Sequence, residues 1–282
     1  MKSFPRTEVA GMSLPRMIIG SNWILGYSHR SPAADKMIQS KYGDKESIAR
    51  LLEAYLQYDI NAIMAPIEEG SVLLEGIRLA EKSTGKKMII INTPVVDVSD
   101  TDEGRASAAK TIEDCRRIGS DFCLIHHASC EQLVSKLHET MDRLPDYLAM
   151  IRSEGMIPGL SAHMPEIIQY SDRNGYDVET YIQIYNCLGF LMQVEVENVA
   201  KVIWNAKKPV MTIKSMAAGR CTPYVGLSFS YHTIRDCDMV TVGAHTVDEV
   251  HEDIEIALAA LENRFPNMAS RNSPKRTQLL GW

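Results

Sequence analysis

A small set of side chains able to bind a metal or move a proton falls at, or just beyond, the ends of short apolar runs. They are Glu68, Glu69, His126, His127, His163, Lys214 and His245. Neutral imidazoles and a carboxylate suit Zn, Mn, Fe or Ni, and such an ion polarises a carbonyl or activates water without an organic cofactor. A lysine held away from water can act as acid, base, Schiff-base nucleophile or charge stabiliser. The metal set expected from these residues is Glu68, His126 and His163, with His126, Lys214 and Glu69 as the catalytic groups. Asn22, Asn92 and His245 close the same set of strand ends and are the candidate substrate-binding residues. Each also has a plainer reading. His127 follows an inward position and would face a helix, His163 could belong to a loop, and His245 precedes an N-cap. Glu68 and Glu69 could be first-turn acids favoured by a helix dipole. His29, His138, His232 and His251 read as loop or helix-surface residues. The chain has no HExxH, paired-cysteine zinc motif, P-loop or GxSxG.

Eight short apolar, often β-branched runs are expected to position these groups: residues 17–22, 60–65, 88–92, 122–126, 157–161, 181–185, 209–214 and 239–243. Runs of that kind read as buried parallel strands. Helical patterns alternate with them at 45–58, 71–82, 104–118, 131–154 (broken near Pro145), 165–173, 194–206 and 225–237. Thr246 followed by Glu249 is a capping box opening a last helix. Eight such alternations predict a closed (β/α)₈ TIM barrel, a single domain over residues 1–282, with its site at the carboxyl ends of the strands. Parity places side chains within that barrel, because alternate strand residues share a face. It sends Val240 and Val242 toward the helices and Thr241, Gly243 and His245 inward. By the same rule Met211 and Ile213 face the helices, and Thr212 and Lys214 point inward. The connection from residue 23 to 43 is long and carries His29 and Arg30, and the tail after Asn263 reads as a segment that packs on the barrel or a neighbouring subunit, or frays.

A net charge of −6 without a long basic run argues against nucleic acid as a partner. No apolar run is long enough for a bilayer and no signal-peptide core opens the chain. The six cysteines form no CxxC pair and read as free thiols of a reducing cytoplasm. A small molecule is therefore the expected partner, with a homo-oligomer possible.

Several segments, in order, resemble the aldo/keto reductase superfamily: DFCLIH at 121–126, IRSEGMIPGLSAHMPEII at 151–168, TYIQIYN at 180–186, IKSMAAGR at 213–220 and VGAHTVDEVHEDI at 242–254. The resemblance covers residues 17–262 and implies a barrel of that type. It also implies a nicotinamide site, NAD(P), with Gln183 and Ser161 as cofactor-binding positions and His126 as the histidine that polarises a carbonyl. That family uses an Asp, Tyr, Lys and His tetrad. Here Met64 stands at the aspartate, Glu69 at the tyrosine, and Asn92 and Thr93 where the lysine belongs; Ala162 replaces an asparagine that contacts nicotinamide.

With only the histidine kept, the expected function is a non-redox one: an isomerase, lyase or hydrolase, metal-assisted, acting on a small polar substrate such as a sugar or hydroxy acid. The alternatives are an NAD(P)-dependent oxidoreductase with an altered proton donor and a non-enzymatic binding or scaffold barrel.

Overall fold

The structure is a computed structural model that describes residues 2–268. It is a closed parallel barrel of eight strands, β3 (Met17–Gly20), β4 (Ala62–Ala65), β5 (Ile89–Asn92), β6 (Phe122–Ile125), β9 (Ile157–Ala162), β10 (Thr180–Ile184), β11 (Val210–Ile213) and β12 (Met239–Val242). Each pairs with the next, and β12 closes on β3 through Val240–Met17, Thr241–Ile18 and Val242–Ile19. All eight expected runs become barrel strands. They are rich in Ile, Val, Leu and Met because both faces of a parallel sheet are covered.

Two hairpins flank the strands. β1 (Arg6–Val9) and β2 (Met12–Pro15) pair antiparallel ahead of the barrel, and β7 (Val134–Ser135) pairs with β8 (Thr140–Met141). The first hairpin sends Val9 and Leu14 into the barrel interior, where they pack with Ile18, Ala62, Met64, Ile91, Phe122, Leu124, Ile182, Met211 and Met239. This apolar column fills the barrel below its mouth. A second cluster, including Ile63, Ile90, Ile125, Leu160, Tyr181, Val210, Val240 and Val242, joins the outer strand face to the helices.

The helices are α1 (Asn22–Leu25), α2 (Pro32–Lys41), α3 (Lys45–Leu56), α4 (Val72–Thr84), α5 (Asp102–Arg117), α6 (His127–Cys130), α7 (Leu144–Ser153), α8 (Glu166–Asn174), α9 (Val196–Asn205), α10 (Pro223–Thr233) and α11 (Val247–Leu261). Their starts follow local chemistry. The side chains of Ser31, Asp44, Ser71, Thr101 and Thr222 each accept the N3 backbone N–H. Thr246 and Glu249 form the expected reciprocal capping box.

The long connection from 23 to 43 holds α2, which begins at Pro32, whose fixed φ suits a first helical turn, behind the Ser31 cap. Two expectations need correction. The stretch 131–154 is not a broken helix but a short 3₁₀ turn, the β7–β8 hairpin and α7, with Pro145 in the first turn of α7. In β11 the parity is reversed: Met211 and Ile213 pack in the barrel interior, while Thr212 is buried on the other face and donates to the Met239 carbonyl at 3.0 Å. The β12 parity holds through Gly243, with Val240 and Val242 outside and Thr241 and Gly243 on the cavity, but fails at His245, which packs against Trp23 and Tyr42. Of the tail after Asn263, residues 269–282 lie outside the described residues.

Candidate functional site

The carboxyl ends of the strands surround a cavity of about 550 Å³. Its floor is the last inward side chain of several strands, among them Met64, Thr93, Ser161, Ile182 and Thr241. Its rim comes from the segment after β3, with Trp23, Tyr27 and His29, and from Lys214 to Gly219 after β11. His126, His127 and His163 stand on the side between β6 and β9.

His126 continues the inward parity of Phe122 and Leu124. Its Nδ1 accepts the Ala128 N–H at 3.3 Å, capping α6 and leaving the ring fixed at the wall. His127 opens α6, and its ring centroid lies 3.8 Å from that of His163 and 4.2 Å from that of His126. Glu131 sits four residues, about one helical turn, after His127. It accepts the backbone N–H of His163 at 2.8 Å and of Met164 at 3.3 Å. One ligand atom from each of His127, Glu131 and His163 lies within 4.8 Å of the other two. Burial holds these imidazoles neutral. The His126 pKa is pushed down to about 4 by desolvation and then by His127. That of His163 falls to about 3, again by desolvation first, with His127, Lys214, His126 and His29 adding repulsion. Desolvation lowers His127 as well, opposed by the Glu131 carboxylate. Neutral rings keep a lone pair free for a metal.

Lys214 reaches the cavity by a different route from the one parity suggests. The residue has φ +62°, a left-handed conformation that bulky side chains adopt rarely. The turn redirects the chain after the inward Ile213 and delivers the ammonium to the mouth. Its Nζ donates to His29 Nε2 at 3.1 Å, while His29 Nδ1 donates to the Tyr27 carbonyl at 2.9 Å. Burial lowers the Lys214 pKa to about 8.

The other expected site residues divide. Asn22 and Ser161 line the cavity. Glu69 does not: it is exposed and pairs with Arg117 of α5 at 2.8 Å. Glu68, also exposed, lies in the turn before α4 and is not on the cavity wall. Neither acid is a ligand on the wall, and neither is a first-turn acid, because both precede the Ser71 cap of α4; Glu131 is the carboxylate near the histidines. Asn92 is buried on the outer face, where its side chain accepts the Ile67 N–H at 3.1 Å and donates to the Ile67 carbonyl at 3.0 Å. It fixes a loop and does not meet the cavity. Gln183 is fully buried and points away from the mouth, its Nε2 donating to the His163 carbonyl at 3.3 Å. His245 packs edge-on against Trp23 and Tyr42, behind the wall, with Nδ1 buried and without a hydrogen-bond partner among the described residues.

Glu131 and His29 were not among the expected site residues. The signal for Glu131 was available in HHASCE, where His127 and a carboxylate stand at i and i+4. His29 carries no such signal, because only the fold brings it to Lys214 across 185 residues.

No family model and no curated protein sequence matches the chain. The fold has solved relatives in shape. PA4992 of Pseudomonas aeruginosa, which carries the name of an aldo-keto reductase, superposes with a TM-score of 0.66 at 16% identity, covering 93% of this chain and 98% of that one. A second Pseudomonas aeruginosa structure of that name gives 0.65 at 15% identity, covering 92% and 97%. A truncated 3-deoxy-D-arabino-heptulosonate 7-phosphate synthase from Thermotoga maritima gives 0.50 at 10% identity, covering 93% and 90%. The fold is thus a (β/α)₈ barrel of the aldo/keto reductase type; at these identities the likeness is one of fold alone.

Proposed function

We propose that this chain is a non-redox, metal-assisted enzyme of the isomerase, lyase or hydrolase kind, acting on a small polar substrate at the barrel mouth. The observation that carries the reading is the convergence of His127, Glu131 and His163 beside the cavity. Their donors are the N and O ligands of a divalent transition ion. His127, Glu131 and His163 would hold the ion, the two rings lying stacked at 21° between planes. An ion held there supplies Lewis acidity toward a carbonyl, hydroxyl or water. The chain's own groups do the rest. His126, neutral and on the wall, accepts or returns a proton. Lys214 stabilises developing negative charge. Trp23, Met64, Val95, Ile182 and Met216 keep bulk water from the reacting atoms.

The redox alternative has less support. Met64, Glu69, Asn92 and Thr93 supply no phenol and lysine to protonate the product of hydride transfer, and the Gln183 amide faces away from the mouth. Ser161 alone of the expected cofactor-binding pair lines the cavity.

The test is a panel of sugars, hydroxy acids and their esters, assayed with and without a chelator and with and without NADPH. Turnover abolished by chelation, restored by a divalent ion and indifferent to NADPH is expected. NADPH-dependent turnover that survives chelation would overturn the reading.

A further inference from the structure

The charge on the cavity wall has one sign. Among the described residues the lining holds one ammonium, Lys214, four imidazoles, His29, His126, His127 and His163, and no carboxylate. The nearby acids are engaged elsewhere. Asp35 accepts the Ser28 N–H and hydroxyl at 2.8 and 2.6 Å, behind His29. Glu131 is turned to the backbone of His163 and Met164. Glu68 and Glu69 lie off the wall. A chain with net charge −6 therefore places a single ammonium on this wall, among neutral imidazoles and with Glu131 behind them.

Lys214 is the centre of this arrangement. Its polar neighbour is an imidazole nitrogen, and no carboxylate among the described residues pairs with it. The His29 ring is held by Tyr27 in the tautomer whose Nε2 accepts, so it orients the ammonium without neutralising it. An ammonium in a half-buried cleft without a counter-ion has lost hydration and gained no charge partner. A left-handed backbone is unfavourable at a lysine and here serves to carry that ammonium to the mouth. Low-dielectric walls of one sign concentrate the opposite charge.

We propose that Lys214, oriented by His29, is an anion subsite, and that the substrate carries a carboxylate or phosphate group which becomes the counter-ion of this ammonium. The inference rests on the reading of the mouth as a substrate site and narrows the substrate from polar to anionic. The anion is seated at the β11 side of the cavity, and the remainder of the molecule extends toward His126, His127 and His163.

The probes are inorganic phosphate, glycolate and, as a neutral control, glycerol. Each is titrated calorimetrically into the protein as purified and after chelator treatment. One anion bound per chain in both forms is expected, with no measurable uptake of glycerol. Tighter phosphate assigns a phosphate ester; tighter glycolate assigns a carboxylic acid. Lys214→Met should weaken the preferred anion at least 10-fold, and Lys214→Arg should restore most of that loss. If Lys214→Met fails to fold, His29→Phe provides the second variant, with at least a 3-fold weakening expected. No anion binding in either wild-type form, or unchanged binding in the folded variants, would overturn the proposal. Anion binding by a protein that holds no metal as purified would overturn the metal reading and leave this subsite standing.

Discussion

Single residues set both the site and its thermodynamic signature. His126, His163 and Lys214 were legible in the sequence as residues at strand ends, because that end of a parallel barrel is where polar groups gather. Glu68 and Glu69 satisfied the same rule and yet lie off the cavity, since a strand end is followed by a turn whose direction the local sequence does not announce. Asp253, in α11, is a different case. It is 3% exposed, and burial, with Glu249 and Glu252 nearby, pushes its pKa up to about 8. The sign of the linkage follows. Between the ordinary carboxylate pKa near 3.8 and about 8, the unfolded chain has released the proton and the folded chain still holds it. Stability contributed by this group is therefore present below the unfolded value and declines as pH rises toward 8. Replacement by Asn keeps the shape and removes the titration. Asp253→Asn is expected to leave the urea midpoint near pH 4 little changed and to raise it at pH 8. Each tenfold difference in proton affinity between the folded and unfolded chain is worth about 1.4 kcal/mol, which bounds the gain. An equal effect at both pH values would contradict the assignment.

At the scale of elements, the eight strands were readable because both their faces are buried, which favours apolar residues along most of each strand. The β11 parity was not. Met211 and Thr212 are both tolerable on either face of a buried strand, so hydrophobicity does not decide between them. The interior choice falls to Met211 because the floor of the barrel is packed from below by Val9 and Leu14. That hairpin also escaped the sequence reading: its strands are four residues each, and β1 carries Arg6 and Glu8. It is nonetheless structural. Leu14 is fully buried, and Leu14→Ala should lower stability by about 2–5 kcal/mol, read as the shift of a denaturant unfolding curve. Gly159 in β9 gives a sharper element-scale test. A Cβ there would stand 2.7 Å from Leu124 Cγ and 2.7 Å from the Thr180 carbonyl oxygen. Two strands must part to admit it, so Gly159→Ala should destabilise by about 1–3 kcal/mol as other overpacked sites do. A neutral result would mean that the β6–β9–β10 wall is looser than its geometry implies.

For the whole molecule, the plug below and the helices around leave one end of the barrel for chemistry, and groups far apart in sequence meet only there. Lys214 and His29 are 185 residues apart; no motif spacing could have joined them, whereas His127 and Glu131 share a helical turn. The result is a barrel of aldo/keto reductase shape whose mouth offers imidazoles, a carboxylate and a lysine in place of the tetrad. Whether those imidazoles hold an ion decides the proposed function. The direct measurement is elemental analysis of protein purified without chelator, beside a His127→Ala, His163→Ala double variant shown to be folded by its unfolding transition. About one divalent transition ion per chain in the wild type, and a loss of at least 10-fold in the variant, is the outcome expected. Metal at background in the wild type, or the same metal content in both proteins, would contradict a centre built on His127, Glu131 and His163.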